Sequence, residues 1–144
     1  MSGRISERIV NARNVPDDAI YIHKYNDTVR IPLGNVLAFK AEDKYVVITH
    51  VSGTQKEDLS SMTIAEIEEA LGTRGMRIHR SVIIMVDKLV KLSKNEAKSH
   101  IDGTHLVAVV SKKDDDGEVV SKSFTVSRRY NSVIRKYTKR IRTC

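Results

Sequence analysis

The chain has 144 residues, 40% of them hydrophobic and 30% charged, with a formal net charge of +7. That length suits one domain around one core, and no apolar run approaches the roughly 20 residues a membrane span needs. The only cysteine, Cys144, is the last residue, which excludes an internal disulfide and a thiolate metal cluster within one chain.

From Met1 to Asp18 the chain lacks sustained periodicity, ends in Val15-Pro16-Asp17-Asp18, and reads as a linker or loosely docked extension. It carries charge where a secretory signal needs an apolar stretch, so a cytoplasmic protein is expected. From Ala19 to Cys144 short β-branched segments alternate with turns, which predicts strands at Ile20 to His23, Val29 to Ile31, Val36 to Ala41, Tyr45 to Val51 and Thr54 to Asp58. Tyr25-Asn26-Asp27 and Glu42-Asp43-Lys44 read as turns, and Ser52-Gly53 as a hairpin connection.

One helix is well signalled. Thr63 followed three residues later by Glu66 fits a capping box. Ile64, Ile67 and Leu71 then fall on one face, and Gly72 supplies the stop. Its outer face, with Glu66, Glu68 and Glu69, is too acidic to dock on phosphates, so the helix is expected to brace a sheet. Beyond Met76 to Ser81, strands are expected at Val82 to Val86, Leu89 to Leu92, Thr104 to Ser111 and Glu118 to Thr125. A charged hairpin tip from Lys112 to Gly117 joins the last two. A final helix is expected to take Ser127 as its cap, with Tyr130, Val133, Ile134, Tyr137 and Ile141 as an apolar packing stripe and a basic opposite face. The fold class is mostly β, with one short central helix and a carboxy-terminal helix.

Charge is segregated along the chain. Between Arg74 and Lys94 the basic residues are Arg74, Arg77, Arg80, Lys88, Lys91 and Lys94, against Asp87 alone. From Arg128 onward Arg128, Arg129, Arg135, Lys136, Lys139, Arg140 and Arg142 meet no acid. A basic face of this kind is the electrostatic footprint of a nucleic-acid binder, although a solvated basic surface has the same composition. Enzymatic constellations are lacking: there is no phosphate-binding glycine loop, dinucleotide fingerprint or nucleophile elbow. His23, His50, His79, His100 and His105 lack zinc-helix spacing, so no metal, cofactor or catalytic residue is expected. A single acidic helix among strands does not make a helix-turn-helix. The few aromatics form no platform for single-stranded bases. Duplex DNA read by loops and strands fits better.

Three stretches in order then carry a resemblance: Arg30-Ile31-Pro32-Leu33 with Val36 through Val46, Met76 through Ile84 around His79-Arg80-Ser81, and Thr125-Val126-Ser127-Arg128-Arg129-Tyr130. The sequence resembles the LytTR family of bacterial DNA-binding domains, commonly the output half of two-component response regulators, from about Ile20 to Lys139. It departs from the family at Met85-Val86-Asp87, where an asparagine is common, and in the longer section from Ser93 to Gly103. The resemblance implies small antiparallel sheets whose loops and strand ends enter successive major grooves of double-stranded DNA. It also implies two protomers on a paired site, and either a standalone regulator or an output domain served by an upstream receiver domain or partner regulator. By the same resemblance Lys44, Arg80 and Arg128 contact bases. Arg77, His79, Ser81, Lys88, Ser127 and Arg129 are expected to contact the DNA backbone. His79, next to the apolar Ile78, also reads as a hydrogen-bonded structural residue. A protein-interaction module and a small metal-dependent nuclease are the rival functions.

Overall fold

In a computed structural model, residues 7–11, 18–95 and 105–142 are described. The amino-terminal sheet consists of β1 (Arg8–Val10), β2 (Ala19–Lys24) and β3 (Asp27–Pro32), antiparallel and in chain order. The central sheet takes β4 (Val36–Glu42), β5 (Tyr45–His50), β6 (Glu57–Ser60), β7 (Gly75–His79) and β8 (Val82–Met85) in the order β6-β5-β4-β8-β7. Helix α1 (Ile64–Leu71) links β6 to β7. The third sheet is β11-β10-β9, from β9 (Leu89–Asn95), β10 (His105–Lys113) and β11 (Val119–Val126), and helix α2 (Asn131–Arg142) follows it. The protein is thus mostly β, with antiparallel sheets and short helices, and no described helix is long and apolar enough to cross a membrane.

The central sheet is a middle layer, and β8 explains why. In a strand successive side chains point to opposite faces, and all four residues of Val82-Ile83-Ile84-Met85 are buried. Ile83 and Met85 join Phe39, Ile48, the sheet residues Ile20, Ile22 and Ile31, and helix residues Ile67 and Leu71 in one core. Val82 and Ile84 join Leu106, Ala108, Val110, Phe124, Val126 and Ile134 of α2 in the other. The amino-terminal sheet and α1 therefore cover one face, and the carboxy-terminal sheet and α2 cover the other.

Helix α1 follows its local signals: Thr63 Oγ1 accepts from Glu66 N at 3.1 Å, and Glu66 Oε1 accepts from Thr63 N at 2.8 Å. Gly72 ends it at φ 57°, a conformation glycine adopts without a Cβ penalty. Ile67 and Leu71 are buried, so the acidic helix braces the sheet as expected. At Gly75 an added Cβ would lie 2.8 Å from Leu71 Cδ1 and 3.0 Å from Ile83 Cγ2. Glycine there lets α1 pack close to β7.

Other elements depart from expectation. Met76 to His79 is strand, not connection: Met76 and Arg77 pair with Ile84 and Ile83. The strand expected at Thr54 to Asp58 begins only at Glu57. His50 accounts for the longer loop, because its Nδ1 accepts from Ser52 N at 3.0 Å while its Nε2 donates to Asp58 Oδ2 at 2.8 Å. Ser127 starts a 3-10 turn, Arg128–Tyr130, but offers no side-chain cap. Of the stripe on the last helix Ile134 is buried and Val133 exposed, while the side chains of Tyr137 and Ile141 lie outside the described residues. So do Cys144, His100 and nearly all of the lengthened section from Ser93 to Gly103.

The segment read as an extension contributes β1, which is clasped at both ends. Asn11 Nδ2 donates to Leu71 O at 2.9 Å, satisfying a carbonyl at the end of α1. Glu7 accepts from His23 N, Ser60 Oγ and Ser61 N at 2.7 to 2.8 Å, and from Ser61 Oγ at 3.2 Å. Partial burial alone would raise the Glu7 carboxyl, but these donors hold it below its ordinary value. A depressed folded value means stabilisation that is present above the unfolded value and lost as pH falls through the folded one. Glu7→Gln is therefore expected to lower unfolding free energy at neutral pH by about 1 kcal/mol after solvent screening. Urea titrations at neutral and acid pH should show the gap closing in acid, and equal stability of the two proteins at neutral pH would refute the clasp.

Candidate nucleic-acid interface

The three residues expected to meet bases sit on turns or segment ends, and topology brings them to one end of the central sheet. Lys44 follows Asp43 at the β4–β5 turn, where Asp43 takes φ 55°. Strand β8 starts opposite Lys40, and Ala41 N donates to Ser81 O at 2.7 Å. The Arg80-Ser81 turn therefore abuts the end of β4 just before the Lys44 turn. With strands about 4.8 Å apart, the β4–β5 and β7–β8 turns are centred two spacings, or about 10 Å, from each other. That is comparable with the roughly 12 Å width of the B-DNA major groove.

Arg128 reaches the same end from the other layer. Ser127 N donates to Ile78 O at 2.8 Å, so the chain leaving β11 is stitched to β7 immediately before His79 and Arg80. The next residues form the 3-10 turn, and α2 leads away with Arg135 and Lys136 exposed. Arg129 lies over the Tyr130 ring with its guanidinium carbon 5.6 Å from the centroid. Lys44, Arg80, Arg128 and Arg129 are all exposed.

The remaining expected contacts divide. His79 and Ser81 belong to the turn itself: His79 Nδ1 lies 3.0 Å from Ser81 Oγ and accepts from Ser81 N at 3.2 Å. These bonds suit the reading of His79 as a hydrogen-bonded structural residue. Ser127 is half-buried beside β7. Arg77 is turned inward: Nε donates to His79 O at 3.0 Å, one terminal nitrogen to Glu68 Oε1 at 2.6 Å, and the other to Arg80 O. Lys88 lies beyond the opposite end of β8, and its side chain is 7% exposed and paired with Asp87 at 3.0 Å. The structure does not bring Lys88 to the basic row. Glu68 was missed in the sequence, where nothing links it to Arg77, nine residues further on. Among the described residues no group of three or more His, Cys, Asp or Glu side chains is placed to hold a metal ion.

Comparison with known proteins bears on the family and the fold. A family model described as the LytTr DNA-binding domain matches residues 26–139. The positive alginate biosynthesis regulatory protein of Pseudomonas aeruginosa is 28% identical over 106 residues, covering 74% of this chain. The match spans only 37% of that relative's length. A solved structure described as the LytTr DNA-binding domain of a Bacillus cereus protein superposes with a TM-score of 0.56 at 21% identity, covering 83% of this chain and 95% of that one. The chain thus has the mostly β fold of a DNA-binding domain. The chain belongs to the LytTR family of DNA-binding domains.

Proposed function

We propose that this domain is a transcriptional regulator that binds specific double-stranded DNA through loops and strand ends in successive major grooves. The convergence of the Lys44 turn, the Arg80 turn and the Arg128 segment at one end of the central sheet carries this reading. The neighbouring turns of Lys44 and Arg80 serve one groove, while Arg128, beyond β7 and beside the basic helix, reaches toward the next. Arginine suits base reading because its planar fork donates two hydrogen bonds to guanine O6 and N7, whereas Lys44 makes a less rigid contact. Ser127 and Arg129, with the exposed cations of α2, hold phosphates and fix register. Arg77, His79 and Ser81 shape the turn, and Lys88 stays outside the interface. Two protomers occupy a paired site, and an upstream receiver domain or a partner regulator supplies the controlling signal, in keeping with a relative that extends well beyond the matched region.

Selection of tight binders from a random duplex pool, followed by salt titration of the enriched and scrambled duplexes, tests the proposal. An enriched paired motif bound about a thousandfold more tightly than its scrambled control is expected. Its affinity should fall with a log-log salt slope of about −0.9 per phosphate neutralised. Failure to enrich any motif, with stable capture of a partner protein instead, would make the domain an interaction module.

A further inference from the structure

We infer that Arg77 is a positioning residue, braced by Glu68, that holds the Arg80 turn ready for DNA; the inference rests on Arg80 reading bases. Arginine presents five N–H donors in a rigid fork, and Arg77 spends donors from all three nitrogens inside the protein. Two go to consecutive carbonyls, those of His79 and Arg80, and the third goes to the Glu68 carboxylate on α1. The guanidinium therefore ties the backbone of the Arg80 turn to a helix anchored in the core by Ile67 and Leu71. Its side chain is 19% exposed, against 46% for Glu68.

The turn has reason to need such a tie. Two-residue hairpin turns favour primed types with positive φ, which match strand twist. Neither Arg80 nor Ser81 has positive φ, and the β7–β8 register shifts between Arg77 and His79. Support comes from outside the turn instead. Arg77 holds the carbonyls of His79 and Arg80, Ala41 N holds that of Ser81, and the His79 ring takes the Ser81 N–H. A turn fixed at each peptide delivers Arg80 without ordering it at the moment of binding, and such preorganisation favours affinity by cutting the ordering cost.

A surface phosphate contact and an internal brace predict opposite behaviour in two charge-conscious variants. Arg77→Lys keeps the charge but loses the fork. Glu68→Gln removes a negative charge, which on a mere surface would tighten binding to every duplex. As a brace, both should lower the preference for the enriched duplex over its scrambled control by about 2- to 10-fold, leaving scrambled-duplex affinity and salt slope unchanged. Neither should lower it further in an Arg80→Ala background. In the free protein both should speed hydrogen exchange at the Ala41 amide, whose acceptor is the Ser81 carbonyl.

Unchanged preference in Arg77→Lys, uniform tightening in Glu68→Gln, or losses that add fully to Arg80→Ala would overturn the inference. Unchanged Ala41 exchange would overturn it as well. If instead Arg80→Ala alone leaves preference intact, the base-reading assignment of Arg80 has failed and the positioning role falls with it. Ala41 exchange would then still report whether the brace exists.

Discussion

Replacing Arg80 and Arg128 together by alanine is expected to remove most of the discrimination between the enriched duplex and a scrambled one. Each bidentate contact to a guanine is worth about 1 to 3 kcal/mol of discrimination. Two independent contacts would thus account for about 30-fold to about 25,000-fold. The measured sum should fall short of additivity, because the Ser127 N to Ile78 O bond of 2.8 Å ties the Arg128 segment to the strand that carries Arg80. Each single variant should relax preference at its own base pair. Arg80→Lys separates charge from geometry: it should keep the salt slope and lose the preference, since an ammonium lacks the planar fork. Arg129→Ala is the contrasting variant, expected to weaken all duplexes alike and to reduce the salt slope by about 1. Equal losses on every duplex from Arg80→Ala, Arg128→Ala and Arg129→Ala would make all three phosphate contacts and refute the division of roles.

The row owes its position to the three layers. The central sheet is covered on both faces, so its exposed backbone lies at strand ends and edges, and the end bearing Asp43-Lys44 and Arg80-Ser81 collects both turns. The third sheet then delivers Ser127 and Arg128 to β7. The proposed contact residues, on turns this short and rooted in strands with buried neighbours, are held more precisely than residues on long loops.

Features legible in the sequence were those written in local chemistry. Thr63, Glu66 and Gly72 announced α1 because capping and termination need only residues within a few positions. The turn at Asp43 and the apolar run from Val82 were equally local. Elements whose partners are distant were not legible. Strand β1 has three residues, and only its pairing with Ala19, Ile20 and Tyr21 makes it a strand. Strand β7 does alternate, with Met76 and Ile78 against Arg77 and His79. A glycine-framed start and its short length hid that pattern. The site divides in the same way. Motif order pointed to the Lys44, Arg80 and Arg128 positions, but composition treats every cation in the basic stretches alike. Whether a guanidinium faces solvent or folds back, as Arg77 does onto Glu68, depends on a helix packed across the sheet. The burial of Lys88 likewise depends on which end of β8 it follows.

Phe39→Ala is expected to cost the largest share of stability of any single truncation in the middle layer. Phe39 is fully buried on β4, paired with Ile48 on one side and Ile83 on the other. All three belong to the core that meets the amino-terminal sheet and α1, so the cavity left behind would be walled by two sheets and a helix and could collapse only partly. Phenylalanine-to-alanine changes at such sites cost about 3 to 5 kcal/mol, a large fraction of the roughly 5 to 15 kcal/mol that holds a domain folded. Val90→Ala, at a side chain 63% exposed on strand β9, should by contrast stay within about 0.5 kcal/mol. Denaturant titration of both variants gives the comparison, and duplex binding by the folded fraction of Phe39→Ala tells what kind of residue Phe39 is. It lies within the Val36 to Val46 stretch that carries the family resemblance, yet it belongs to a strand and to the buried core rather than to the turn of any proposed contact residue. Folded Phe39→Ala should therefore keep the preference for the enriched duplex while needing less urea to unfold. A loss of preference at unchanged stability would place Phe39 in the reading surface, whereas a cost below about 1 kcal/mol would mean that the middle layer is not packed as densely as its burial implies.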